Sequence, residues 1–303
     1  MKPHSLRNAS PLQGQVALVT GGGRGIGRAI AQTLASAGAA VAVVSRSAEE
    51  LSETVRVVQQ DGGRASAFPA DVTNAEEIHR AIHDIEQSLG PVDVLVNNAG
   101  TAKPLAPFAH CDVKEWWRGM EVNMLGPLLC SRFVLPSMIS RRKGRIINMS
   151  SGAGAMAMTN FSSYVCSKTA LVRFTECLAL ETKSYGVAVF AIAPGTVKTA
   201  MSEYSLNSTE GQKWLPWFQR IFDEGFTVPP ERPASLVLEL ASGRADALSG
   251  RFVSIYDDLD QLLQSSAEVE KRNLHALKVE RLAAASPNSA LAAIMAESRK
   301  SAE

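Results

Sequence analysis

The sequence has little of what marks several protein classes. Its 303 residues include four cysteines, Cys111, Cys130, Cys166 and Cys177, and no C-x-x-C pair. That spacing predicts neither a disulfide framework nor a zinc site, and the thiols read as reduced, which fits a cytoplasmic location. Histidine is scarce. His79 and His83 stand four apart in HRAIH, with no glutamate or third ligand beside them, so no metal is expected. There is no excess charge of one sign: 31 Lys+Arg against 30 Asp+Glu give a net charge of +1. Recognition of nucleic acid through bulk positive charge is therefore not expected. No stretch approaches the roughly 20 apolar residues of a membrane helix, so no membrane partner is expected. Residues 1–13 carry Lys2, His4 and Arg7 without an apolar core, and read as an irregular lead-in rather than a secretory signal. What is present is a globular balance, 46% hydrophobic and 20% charged. This excludes a disordered chain and suits one α/β domain of roughly 250 residues with appendages.

Short apolar β-rich runs alternate with helical patterns from Val16 to Ile255. The runs are Val16–Thr20, Val41–Ser45, Ala65–Pro69, Val92–Val96, Arg145–Met149, Val187–Ile192 and Arg251–Ile255. Helices are expected at Arg28–Ala37, Ala48–Gln60, Ala75–Ser88, Trp116–Ile139, Ser163–Tyr185 and Pro230–Ala241. That rhythm predicts a Rossmann-type, doubly wound parallel sheet of about seven strands, with helices on both faces, as a single domain over residues 14–265. Residues 200–228 break the rhythm and carry Trp214, Trp217, Phe218 and Phe222. Residues 266–303 turn polar and Ala/Ser-rich, and read as a helical or flexible extension.

Thr20-Gly21-Gly22-Gly23-Arg24-Gly25-Ile26-Gly27 follows a strand and opens a helix. Such a junction brings backbone N–H groups and the positive end of a helix to a dinucleotide pyrophosphate. The second strand ends Ser45-Arg46, with no carboxylate to take a ribose hydroxyl. Arg46 and Arg24 together favour a 2′-phosphate, hence NADP (NADPH) over NAD. Tyr164 and Lys168, four apart on one helix face, form an acid–base pair if the ammonium lowers the phenol's pKa. Asn97-Asn98-Ala99-Gly100, Ser150-Ser151 and Pro194-Gly195-Thr196-Val197 stand at strand ends, where open sheets gather their chemistry.

Taken in order, these motifs resemble those of the short-chain dehydrogenase/reductase family from about Gly14 to Asp258. The resemblance implies cofactor contacts from Gly21, Arg24, Gly25, Ile26 and Gly27, from Ser45 and Arg46, from Asp71 and Val72, and from Asn98, Ala99 and Gly100. It implies further contacts from Pro194, Gly195, Val197 and Thr199, with Val197 and Thr199 anchoring the carboxamide, and from Tyr164 and Lys168. It implies catalytic roles for Asn123, Ser151, Tyr164 and Lys168. Tyr164 would be acid or base, Ser151 would orient the substrate oxygen, and Asn123 would hold a water beside Lys168. Ser151, thirteen residues before Tyr164, is preferred to Ser150.

The expected activity is interconversion of a ketone and a secondary alcohol on an apolar small molecule, by a homotetramer or homodimer. Two alternatives remain. A 3-oxoacyl-(acyl-carrier-protein) reductase is favoured by Arg142 and disfavoured by Tyr185, which stands where those reductases carry a second basic residue. A non-catalytic NADP sensor is disfavoured by the complete catalytic set. Trp116 and Trp117 are expected in the core or at a subunit interface, and the aromatics of 200–228 in a lid or a substrate pocket.

Overall fold

The strands are apolar on both faces, which suits only a sheet covered on both sides. The computed structural model describes residues 10–279. Its strands are β1 (Val16–Thr20), β2 (Ala40–Ser45), β3 (Arg64–Pro69), β4 (Val94–Asn97), β5 (Gly144–Met149), β6 (Val187–Ala193), β7 (Thr196–Val197), β8 (Thr227–Val228) and β9 (Phe252–Ser254). Seven form one parallel sheet in the order β3-β2-β1-β4-β5-β6-β9, while β7 and β8 pair as a separate ribbon. The major helices are α1 (Gly25–Ser36), α2 (Ala48–Gln60), α3 (Ala75–Leu89), α4 (Val113–Met120), α5 (Gly126–Arg141) and α6 (Ser162–Thr182). Next come α7 (Ala200–Asn207), α8 (Thr209–Trp214), α9 (Phe218–Asp223), α10 (Glu231–Ala241), α11 (Leu259–Gln264) and α12 (Ser266–Lys271).

Strand alternation divides the core into two layers. Ala17 and Val19 of β1 pack with Ile30 and Leu34 of α1, Leu51 of α2 and Val237 and Leu240 of α10. Val16 and Leu18 pack with Ile82 and Ile85 of α3, Val134 and Met138 of α5 and Leu178 of α6. The strand order reverses between β1 and β4, so the crevice at their carboxyl ends lies between the glycine loop and Asn97–Gly100. At the opposite end, the buried Asp93 carboxylate accepts from the Val16 amide and pairs with Arg141 (2.7 Å) and Lys143 (3.2 Å). Burial opposes its charge, but these hydrogen bonds outweigh burial and hold the carboxyl below the usual range.

The structure departs from the sequence reading in four places. Leu12, assigned to an irregular lead-in, is fully buried and belongs to the core. The helix expected at Trp116–Ile139 is α4 and α5 joined by a π-helical turn, Glu121–Leu125. By length and composition this run, Val113–Arg141, could cross a membrane, contrary to the expectation. Its apolar character lies in an average over charged interruptions and not in an unbroken run. It buries Cys130, Val134 and Met138 against the sheet, as a core helix does. Lastly, residues 266–279 include the helix α12, in keeping with the helical half of the expectation, but are packed rather than loose: Val269 is buried, and the His275 carbonyl accepts from the Phe252 amide of the edge strand β9 at 2.8 Å. The rest of the extension lies outside the described residues.

The crossing of α4 over α6 depends on Gly119. A Cβ there would overlap Ser163 Oγ and lie 2.7 Å from the Lys103 carbonyl, which is backbone and cannot move aside cheaply. Gly119→Ala is expected to destabilise the fold by about 1–3 kcal/mol through overpacking. A thermal melt should show a Tm lower by roughly 2–10 °C; an unchanged Tm would mean that the crossing is slack.

Candidate active site

Gly21 sits at φ +63°, and a Cβ on it would lie 2.9 Å from Ala99 Cα, so only glycine lets the loop press onto the end of β4. The contact is stitched by Thr20, whose hydroxyl accepts from the Asn98 and Ala99 amides at 3.0 and 3.1 Å. Asn98 Nδ2 returns a bond to the Thr20 carbonyl at 3.0 Å. Gly25 faces Thr199, whose Cγ2 lies 3.0 Å from where its Cβ would be. From the outer side, Thr54 Oγ1 donates to the Gly22 carbonyl and Arg28 Nη2 to that of Gly23. Thr20 opens the loop motif read from the sequence but had no contact assigned to it, and Arg28 and Thr54 escaped that reading. A threonine ending a strand reads as a β-former, and the other two read as ordinary helix residues.

The amino end of α1 can receive a dinucleotide pyrophosphate. Its N-cap, Arg24, makes no side-chain capping bond, and the first turn holds no acidic residue. By contrast, Ser47, Asn74 and Asp112 cap α2, α3 and α4. Free N–H groups at a glycine-lined helix start suit a diphosphate, so the residues present fit a nicotinamide dinucleotide. Arg46, at the tip of β2, is exposed and makes no hydrogen bond or ion pair among the described residues. Arg24 instead pairs with Glu50 at 3.0 Å. Asp71 accepts from Thr73 and pairs with Arg118 of α4 at 3.0 Å. Burial works against its charge, but these bonds prevail and keep the carboxyl below its ordinary range. Val72 is buried against Gly126 at the start of α5.

Four of the residues singled out converge past the ends of β4 and β5. Lys168 is 4% exposed, and its Nζ donates to the Met149 carbonyl at 2.7 Å. Burial disfavours the ammonium and pulls its pKa down to about 8. Nζ lies 5.6 Å from the Tyr164 ring centroid. Ser151 accepts from the Ala153 amide and neighbours the Tyr164 hydroxyl. Burial raises the Tyr164 pKa, and the Ser151 hydroxyl pulls it part of the way back. This reverses the expected depression, because the phenol is desolvated. Adjacent strand-end residues point opposite ways. Ser150 is buried and donates to the Lys168 backbone carbonyl, whereas Ser151 faces Tyr164.

Asn123 is fully buried in the π turn. Its Oδ1 accepts from the Thr101 amide at 2.8 Å, and its Nδ2 donates to the Thr101 carbonyl and to Ser167 Oγ. The side chain therefore fixes the loop after β4. A Cβ on Gly100 would come within 3.1 Å of Asn123 Oδ1, 3.6 Å of Lys168 Nζ and 3.6 Å of Met201 Cε. The missing side chain at Gly100 opens this gap.

Past β6, Gly195 packs under Ile255 and Tyr256, and Val197 is buried. Thr199 caps α7 reciprocally with Ser202, and Ser202 Oγ also donates to the Val197 carbonyl at 2.9 Å. Ser202 was missed because a serine three residues past a cap reads as filler. Residues 200–228 form α7 to α9 and end on β8. Leu215 is buried with Ala102, Leu105 and Phe161, and Tyr164, Tyr204 and Phe218 pack on them. Phe161 stacks on Tyr164 with centroids 4.5 Å apart. Of Trp214, Trp217, Phe218 and Phe222, Phe218 alone joins this apolar cluster. Trp217 and Phe222 pack edge-on against Phe218, and Trp214 lies under Lys213 Nζ. Trp116 bonds Ser162 Oγ through Nε1, whereas Trp117 is 58% exposed. His79 packs against Phe133. Two surface hollows, one beside Phe68 and Arg80 and one beside Gln261 and His275, lie apart from the Tyr164 cluster.

The arrangement has relatives. The sequence profile described as short chain dehydrogenase matches residues 15–210. The 2,3-dihydro-2,3-dihydroxybenzoate dehydrogenase of Bacillus subtilis is 36% identical, over 78% of this chain and 93% of that protein. A 3-oxoacyl-[acyl-carrier-protein] reductase of Aquifex aeolicus is 34% identical, over 80% and 96%. The crystal structure of an actinorhodin polyketide ketoreductase variant with NADPH superposes with a TM-score of 0.74 at 32% identity, covering 81% of this chain and 97% of that one. With its crevice at the strand-order reversal and Tyr164, Lys168 and Ser151 gathered beside it, the chain belongs to the short-chain dehydrogenase/reductase family, NAD(P)-dependent oxidoreductases that act on alcohol and carbonyl groups.

Proposed function

We propose that this chain interconverts a ketone and a secondary alcohol on an apolar small molecule, using NADP(H) in preference to NAD(H). The observation that carries the reading is the convergence of a buried lysine, a phenol and a serine hydroxyl beside the gap at Gly100. When bound, the nicotinamide would supply the hydride in reduction and accept it in oxidation. The Ser151 hydroxyl orients the substrate oxygen and stabilises the negative charge that develops on it. Tyr164 gives that oxygen a proton in reduction and takes it in oxidation. Lys168 holds charge beside the phenol and can hand protons toward the gap that Asn123 borders. An exposed Arg46, unpaired among the described residues, and the absence of a carboxylate in Ser45-Arg46 at the tip of β2 support the 2′-phosphorylated cofactor. The Leu105, Phe161, Leu215 and Phe218 wall supports an apolar substrate. The apolar side chains of Trp117, Leu128 and Leu180 left on the surface support a homodimer or homotetramer, and four free cysteines support a cytoplasmic setting.

An acyl-carrier-protein reductase is the second reading, favoured by the relatives of that name. Two observations count against it. Arg141 and Lys143 are spent on Asp93, and Arg142 donates to the Ser184 carbonyl. Arg142 also stands before β5, whereas Ser151 follows it, roughly 20 Å away along the strand.

Three outcomes check the main reading. Tyr164→Phe should lower kcat about 1000-fold while NADPH still binds in a fluorescence titration; near-normal turnover would assign the proton to another group. Arg46→Ala should cut kcat/KM with NADPH about tenfold and spare NADH; an unchanged ratio of the two would remove Arg46 from phosphate recognition. Lys168 sheds its proton near pH 8 in the folded protein but near 10.5 when unfolded. The unfolded chain therefore binds more protons between those values, and this group's penalty on folding fades as pH rises. The Tm of the wild type should rise relative to that of Lys168→Met between pH 7 and 10, and parallel curves would contradict the buried ammonium.

A further inference from the structure

The glycine loop and the first turn of α2 face each other, and each contributes a charge. Arg24 Nη1 pairs with Glu50 Oε1 at 3.0 Å, and this is the one ion pair of Arg24 among the described residues. Glu50 is held in place. Its amide donates to the Ser47 N-cap at 3.3 Å, and its carbonyl accepts from Thr54 Oγ1 at 3.2 Å. Its Cβ lies 2.8 Å, and its Oε2 3.3 Å, from the point a Gly23 Cβ would occupy. The carboxylate thus stands over the loop on the side from which Ser45-Arg46-Ser47 leads into α2. The Arg24 side chain is 65% exposed and that of Glu50 36%. An ion pair this open is weak, so a phosphate dianion can take Arg24 from it. The carboxylate stays behind, within a few ångströms of the incoming charge.

We propose that Glu50 is a specificity-determining residue for the cofactor: by occupying Arg24 and repelling a 2′-phosphate, it reduces the discrimination in favour of the phosphorylated dinucleotide. This rests on the reading that Arg24 and Arg46 face the adenosine ribose. An unphosphorylated dinucleotide leaves the Arg24–Glu50 pair closed. A 2′-phosphorylated one opens it and gains Arg24, at the cost of an unpaired anion nearby. Arg28, although close, is not available to compensate, because its guanidinium is bonded to the Gly23 carbonyl and to Thr54.

The test is a fluorescence titration of NADPH and NADH against the wild type, Glu50→Gln and Glu50→Ala. A control, Glu53→Gln, removes a carboxylate of the same helix that is tied to Arg56. The ratio Kd(NADH)/Kd(NADPH) should rise about fivefold in both Glu50 variants and by less than about twofold in the control. An unchanged or falling ratio overturns the proposal, as does an equal rise in the control, which would reduce the effect to net charge. A wild type that prefers NADH overturns the NADP(H) reading instead. The shift on Glu50 substitution would still decide this proposal.

Discussion

The site depends on burying one ammonium. Lys168 lies inside the protein with the Met149 carbonyl as its one hydrogen-bond acceptor among the described residues. A buried cation is costly unless partners surround it. The neighbourhood answers that cost in parts drawn from distant segments. The carbonyl comes from the end of β5. Asn123, set by the π turn, anchors the loop that carries Gly100, and Gly100 leaves space beside Nζ. A π turn inside an otherwise regular helix has a plain purpose here. It shifts the phase of the run Val113–Arg141, so that Asn123 points into the site while Cys130, Val134 and Met138 still face the sheet.

Much of this was legible in the sequence. The seven main strands stand out because a doubly covered parallel sheet needs uninterrupted apolar runs, and glycines or proline punctuate them. Tyr164 and Lys168 could be paired from their spacing, and Ser151 could be preferred to Ser150 on the interval to Tyr164 that the family resemblance implies. Strand alternation gives the same choice a physical cause, since neighbouring side chains cannot both enter one cleft. What stayed hidden depends on contacts between segments far apart in the chain. No local pattern ties Arg24 to Glu50, Arg118 to Asp71 or Ser202 to the Val197 carbonyl. The direction of the Tyr164 shift was also hidden, because it follows from how deeply the ring is packed beside Phe161.

Charge placement separates two ends of the sheet with different duties. At the amino ends, Asp93, Arg141 and Lys143 neutralise one another around a strand start and hold the fold. At the carboxyl ends, charges are left unbalanced: among the described residues Lys168 has no acidic partner and Arg46 has none at all. An open α/β sheet needs this asymmetry, because a bound anion or a reacting oxygen can exploit only charge that the protein has not already cancelled.

The ribbon of β7 and β8 has a consequence for how such a protein can diversify. Thr196 and Val197 pair with Thr227 and Val228, which closes the chain on itself at both ends of the α7 to α9 segment. The span between is therefore a tethered loop with fixed feet. Lengthening such a loop costs only a slowly growing closure entropy, roughly 0.6 kcal/mol per doubling. Insertions or deletions there would leave the footings, and the dinucleotide crevice below them, undisturbed. The α7 to α9 segment is thus the part of the molecule whose length is least constrained by the rest.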